Sequence, residues 1–189
     1  FIISPCTANT ISKIAHGIDD TAVTTFATTA IGSGIPMLVV PAMHLSMYDH
    51  KIVQKNILKC KEVGIGFVEP FIQGNKAKMA NIDEIVAYVI RETDKHGMAD
   101  KRFLIIGGSS AEAIDDVKII SNRSSGKTAV SLAKTVFYRG AYVELWYGCS
   151  KEPVPNYIKT VNFESVGDIV GLLKTRDIKN FDVIIICAA

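Results

Sequence analysis

The chain has 189 residues, 48% of them hydrophobic and 21% charged, with a formal net charge of +2. That length admits one or two domains, and the apolar share is enough to bury sheets on both faces. The basic residues are scattered rather than grouped with aromatics, and no apolar run reaches the roughly 20 residues of a bilayer span, so neither nucleic acid nor membrane is an expected partner.

Apolar runs alternate with helical periodicity, the pattern of βαβ units and a parallel sheet. In the first half the spacing predicts strands over 1–4, 36–40 and 66–68, and helices over 10–16, 20–31, 51–63 and 82–92. Cys6-Thr7-Ala8-Asn9-Thr10 stands between the first strand and the first helix. Its small side chains and hydroxyls suit a ligand as well as they suit a helix cap. Asp19 and Asp20 are expected to cap the next helix, whose threonines at 24, 25, 28 and 29 fit close packing, subunit contact or chance. Pro41-Ala42-Met43-His44 follows the second strand, with Met47 and Tyr48 beyond it. A histidine beside a pocket can donate a hydrogen bond or a proton, although a lone one in a turn is more often structural. Asn81 with Glu84 resembles a capping box opening the last helix of this half.

The charged, glycine-containing stretch 94–101 reads as a linker, separating one α/β unit over 1–93 from a second over 102–189. Strands are predicted over 103–106, 141–146 and 183–187, and helices over 126–139 and 165–174. The strand ending at Ile106 runs into Gly107-Gly108-Ser109-Ser110, where glycines would let a backbone approach a ligand closely. Ser121-Asn122-Arg123-Ser124-Ser125-Gly126-Lys127 offers backbone N–H groups, hydroxyls and a cation to an anion at a helix start. An ordinary polar turn capping that helix is the plainer reading. A P-loop would need glycine where Ser121 stands. Cys6, Cys60, Cys149 and Cys187 include no Cys-x-x-Cys pair, which speaks against a zinc site or disulfides and for a reducing cytoplasm. His16, His50 and His96 show no partner pattern, so no metal ligands are expected from side chains. The chain starts inside one apolar run, without an initiator Met, and stops at the end of another. It reads as a piece of a longer protein.

Taken in order, these blocks resemble the bifunctional phosphopantothenoylcysteine decarboxylase/phosphopantothenate–cysteine ligase family of coenzyme A synthesis. Pro5–Thr10 with Lys13–Asp20 is similar to the flavin-side segment of its decarboxylase. Pro41-Ala42-Met43-His44-Leu45-Ser46-Met47-Tyr48 is similar to its Pro-x-Met-Asn-x-x-Met-Trp substrate motif. Ile114–Lys118, Ser121–Lys127 and Cys187-Ala188-Ala189 are similar to the start of its ligase. The resemblance implies two tandem Rossmann-like or flavodoxin-like parallel-sheet units, both incomplete. It also implies FMN held by Cys6, Thr7, Ala8, Asn9 and Thr10, and substrate held by Pro41, Ala42, Met43, His44 and Met47. Nucleotide and phosphate contacts would come from Gly108, Ser109, Asp115, Asn122, Ser124, Ser125, Gly126, Lys127, Cys187, Ala188 and Ala189. His44 and Asn122 would carry the catalytic roles. The implied activities are CTP-dependent joining of 4'-phosphopantothenate to cysteine, with Mg2+ accompanying CTP, and FMN-dependent decarboxylation of the product to 4'-phosphopantetheine. A cytoplasmic homo-oligomer is expected, and this piece alone is expected to be inactive.

The chain departs from the family pattern in places. His44 replaces the Asn and Tyr48 the Trp, Lys118 stands for an Arg, and no cysteine lies in the stretch 70–79 where many members keep one. These departures point to an archaeal member. Two other readings remain open at this point, a P-loop-like nucleotide hydrolase and a non-catalytic flavin- or nucleotide-binding subunit.

Overall fold

A computed structural model describes residues 1–94 and 97–189; Lys95 and His96, both within the stretch read as a linker, lie outside the described residues. The chain divides into two compact units, Phe1–Val89 and Ile90–Ala189. The expected fold class, mixed α/β with parallel sheets, is what the structure has.

The first unit runs β1 (Ile2–Cys6), α1 (Ala8–Ala15), α2 (Ala22–Gly32), β2 (Leu38–Pro41), β3 (Met43–His44), α3 (Leu45–Tyr48), α4 (Lys51–Glu62), β4 (Gly66–Phe67), β5 (Phe71–Gln73) and β6 (Lys76–Lys78), followed by α5 (Ile82–Thr93). The strands β1, β2 and β4 form a parallel sheet in the order β1-β2-β4. All four residues of the central β2 are buried, as an apolar strand covered on both faces must be. Val39 joins Ile11, Ala27, Ile57 and Cys60 on one face, while Leu38 and Val40 join Val68 and Ala80 on the other. Ile11 with Ile14 on α1, and Ile57 with Cys60 on α4, supply the first cluster from three-residue spacings.

The first two helix starts differ from expectation. Thr7 is the N-cap of α1, so that helix begins ahead of the predicted position. Thr21, not an aspartate, caps α2 through a reciprocal box with Thr24. Asp20 pairs instead with Lys13 at 2.8 Å, and Asp19 accepts from the Thr25 hydroxyl. A cap must set its oxygen over the N–H three residues on, and Thr21 is the residue so placed. The threonine run is accounted for within α2. Thr25, Thr28 and Thr29 each donate to the carbonyl four residues back, a pairing that satisfies a hydroxyl inside a helix. The Asn81 side chain accepts from the Glu84 N–H, as expected.

The second unit runs β7 (Arg102–Gly108), β8 (Ala111–Ala113), β9 (Ile119–Ser121), α6 (Lys127–Tyr138), β10 (Tyr142–Tyr147), β11 (Lys159–Asn162), α7 (Val166–Thr175), a 3-10 turn at Ile178–Asn180 and β12 (Val183–Ala188). Its sheet is parallel throughout, in the order β11-β10-β7-β12. Leu104, Ile105, Leu145 and Trp146 on the central strands are fully buried. Sequence reading missed β11, an edge strand that carries no apolar run. It also missed the antiparallel sheet β3-β6-β5 and the β8–β9 ribbon, whose segments of two or three residues are too short to show a period.

Glu144 on β10 is buried, yet it gathers Lys159 at 2.9 Å, the Trp146 indole N–H at 3.0 Å and Arg176 at 3.2 Å. Burial alone would raise its pKa; the donors outweigh burial and hold the carboxyl below its ordinary range. A depressed folded pKa gives stability that is complete above the unfolded value (about 4.3) and lost as pH falls through the folded one. Acid denaturation should therefore be less steep for Glu144→Gln than for the parent. Urea midpoints at neutral pH and at about pH 3.5 check this, and parallel pH profiles for the two proteins would refute it. Among the described residues, no helix is long and apolar enough to cross a membrane.

Candidate functional site

In the first unit, pairing of β1 with β2 sets Cys6 opposite Pro41, and the Ala42 N–H donates to the Cys6 carbonyl at 2.9 Å. The flavin-side segment and the substrate-like motif therefore lie edge to edge at the carboxyl ends of two parallel strands, where open α/β sheets bind ligands. Thr7 is extended, and α1 begins with no side-chain cap. Thr7 and Asn9 are exposed, and the Thr7 and Thr10 hydroxyls are 3.4 Å apart. Those hydroxyls and the uncapped N–H groups of the helix start fit a phosphorylated flavin. The Cys6 and Ala8 side chains are buried, which leaves their backbone for contact. Burial, and then the neighbouring Cys60, push the Cys6 thiol up to about 12, so it stays protonated.

Beyond Pro41 the chain enters β3. Met43 packs on the core while His44 is exposed and pairs in register with Lys76 of β6. A cavity of about 330 Å3 is lined by Ala42, Met43, His44, Lys76, Ala77, Lys78 and Met79. Met47 is exposed on α3 and is not among these lining residues. The Tyr48 hydroxyl donates to Glu69 at 2.7 Å, and burial with that carboxylate raises its pKa. Sequence reading missed Lys76, Lys78 and Met79. The signal was present in Gly74-Asn75, a two-residue hairpin turn with Gly74 at φ +57°.

In the second unit, the strand order reverses between β7 and β12, the switch point of such a sheet. There Gly107 faces Cys187 and Gly108 faces Ala188. The Ala189 N–H donates to the Gly108 carbonyl at 2.9 Å. The Ser150 hydroxyl accepts from the Ser109 N–H and donates to the Ser124 carbonyl, both at 3.1 Å. Ser109 donates to the Cys149 carbonyl, Ser121 to the Ser110 carbonyl at 2.7 Å, and the Glu152 N–H to the Ser125 carbonyl at 3.0 Å. These bonds tie the turns around 108–110, 121–126, 148–152 and 188–189 into one cradle.

Gly126 takes φ +78° at the start of α6, and a Cβ there would lie 2.0 Å from the Tyr147 hydroxyl. The N-cap Gly126 brings no side chain to the start of α6, where the Ser125 hydroxyl accepts from the Lys127 N–H at 3.4 Å. By contrast, Ser165, Asp168 and Glu112 occupy the start of α7. Asn122, Arg123 and Lys127 are exposed at this cradle.

Two placements bear on the readings above. The segment 121–127 follows the exposed β8–β9 ribbon, not a strand of the main sheet, because the chain makes that hairpin between β7 and α6. A P-loop needs its strand to feed the helix directly, so this placement removes that alternative. Asp115 sits in the turn of the ribbon, where its carboxylate accepts from the Val117 and Lys118 N–H groups, which hold its pKa down. It thus serves the turn, and no hydrogen bond joins it to the cradle among the described residues.

Gly148, Cys149 and Ser150 escaped sequence reading, although they follow an apolar run just as Gly107–Ser110 do. With Tyr147, Asn162, Phe163, Glu164 and Asp168 they line a cavity of about 620 Å3.

Two parallel-sheet units, each with turns of small and hydroxyl residues at its strand ends, define a tandem α/β protein of the nucleotide-binding type. Residues 1–94 match the family model for flavoproteins, and residues 98–189 match that for the DNA/pantothenate metabolism flavoprotein C-terminal domain. The whole chain aligns with coenzyme A biosynthesis bifunctional proteins CoaBC, at 43% identity over 190 residues in Thermococcus kodakarensis and 39% over 191 in Methanocaldococcus jannaschii. In both alignments it covers 100% of this chain and 46% of the relative. A cysteine/cysteine sulfinic acid decarboxylase from an unknown prokaryotic organism is 32% identical over 204 residues, covering 100% of this chain and 55% of that protein. The chain belongs to the family of bifunctional coenzyme A biosynthesis flavoproteins. It spans about half the length of the curated relatives it matches.

Proposed function

We propose that the first unit serves FMN-dependent decarboxylation of 4'-phosphopantothenoylcysteine, and that the second serves CTP-dependent ligation of 4'-phosphopantothenate with cysteine. The observation carrying this reading is the Cys6–Pro41 register, which sets a flavin-type helix start beside a substrate-type turn. FMN, when bound, accepts and returns the electrons of the decarboxylation. Thr7, Asn9 and Thr10, with the backbone of Cys6 and Ala8, would hold it. Ala42 and Met43 line the adjoining cavity, the buried Pro41 fixes the strand end behind them, and His44 donates a hydrogen bond to the substrate carboxylate.

In the second unit, the start of α6, with a glycine at its N-cap, favours negative charge, and Gly108, Ser109, Ser124 and Ser125 surround it. Lys127 adds a cation for the nucleotide phosphates, which bring Mg2+ with them. Exposed Val23, Phe26 and Ile31 on α2 suit a homo-oligomeric contact.

His44→Ala in the full-length protein should lower decarboxylation by about tenfold or more, the worth of a hydrogen bond to a charged group, and should leave ligation intact. Parent-like CO2 release would remove His44 from the site. Loss of both activities would mean that the substitution acts through folding.

A further inference from the structure

His44 and Lys76 are directly opposed in the β3–β6 ladder. Opposed residues bring their Cβ atoms within about 5.5 Å. Neither side chain has a hydrogen bond or ion pair among the described residues. Both are exposed, and both line the cavity with Met43 and Met79. Neighbouring groups are engaged elsewhere: Lys78 donates to Gln73 at 2.6 Å, and Glu69 takes Tyr48 and Lys61. A hairpin thus presents an imidazole and an ammonium side by side at the mouth of an apolar cavity, without a protein carboxylate to satisfy them.

We propose that Lys76 together with His44 forms an oxyanion-binding site, and that Lys76 is a specificity-determining residue for the acidic substrate of the first unit. The identity of the substrate rests on the decarboxylase reading above; the site itself rests on register and cavity. A carboxylate or a phosphate monoester supplies the same chemistry, two or more acceptor oxygens for an ammonium and an imidazole N–H. An anion between the two side chains is held by the ammonium and by an imidazole N–H at once. The pairing is invisible along the chain because 32 positions separate the two residues.

The test uses the full-length protein, its Lys76→Met and Lys76→Arg variants, and three probes: phosphopantothenoylcysteine, pantothenoylcysteine and inorganic phosphate. Binding is followed by calorimetry and by the His44 ring resonances. The parent should bind, Lys76→Met should bind about tenfold or more weakly, and Lys76→Arg should recover most of the affinity.

Equal weakening for both cysteine compounds assigns the site to the carboxylate. Weakening confined to phosphorylated probes assigns it to the phosphate. Unchanged affinity in Lys76→Met, or His44 resonances that respond to none of the three probes, overturns the proposal. Binding that depends on Lys76 without any CO2 release would sink the decarboxylase reading and leave the anion site standing.

Discussion

Asn122→Asp should reduce cysteine-dependent ligation by the full-length protein by about a hundredfold or more. The residue follows β9, and its backbone is anchored on both sides, by Ser121 donating to the Ser110 carbonyl and by Ser150 donating to the Ser124 carbonyl. Its own side chain is exposed, with no hydrogen bond among the described residues. The backbone is therefore held in place and the amide left available, at the edge of the cradle proposed to take the nucleotide phosphates. It can donate to a phosphate oxygen and accept from the reacting group. Aspartate keeps the size, removes the donors and adds a charge that repels phosphates. Losing one preorganised donor costs on the order of a hundredfold in rate, and repulsion deepens the loss. Stability should hardly change, because the side chain contributes nothing to packing. CTP binding, measured separately, locates the defect: retained binding with lost ligation places Asn122 at the chemical step. Ligation near the parental rate would take it out of the mechanism.

Gly107→Val should markedly destabilise the second unit. A Cβ at Gly107 would stand 2.2 Å from the Cβ of Ala129 and 3.1 Å from the Cys187 sulfur. Ala129 lies in the first turn of α6, so the helix can sit on β7 only where the strand has no side chain. Relief requires moving α6 or β12, and overpacking of this kind costs about 1–3 kcal/mol or more. For a unit of this size, about 1–3 kcal/mol corresponds to a thermal midpoint lower by roughly 4–24 °C. Gly171→Ala is the control, since nothing lies within 4 Å of a Cβ there and alanine favours a helix interior. If Gly107→Val melted with the control, the close approach of α6 to β7 would not be a packing constraint.

Much of the secondary structure was readable because each element obeys a local rule. The β2 run, and β7 after its exposed Arg102, carry no charged residue, as strands buried on two faces require, and α1, α4 and α6 repeat their buried residues at helical spacing. What escaped was short or non-local. The segments β3, β5 and β6 hold two or three residues each, so their identity lies in cross-strand bonds. The ribbon residues Ile119 and Ile120 are apolar and nevertheless exposed, because hydrophobicity does not say which sheet a strand joins. The cap of α2 fell to Thr21, since a one-residue difference in where the chain turns lies below what composition can resolve.

By itself the sequence determined the α/β class, the family, and the small-residue turns that follow its strands, all of which follow from local composition, periodicity and motif order. Only the tertiary structure decided which of these meet. Cys6 reaches Pro41, His44 reaches Lys76, and Ser150 bridges Ser109 and Ser124. The order β11-β10-β7-β12 brings Gly108 to Ala188. These encounters join residues 26 to 80 positions apart. Strand order and register set them, and both are properties of the whole packed chain that no single segment encodes.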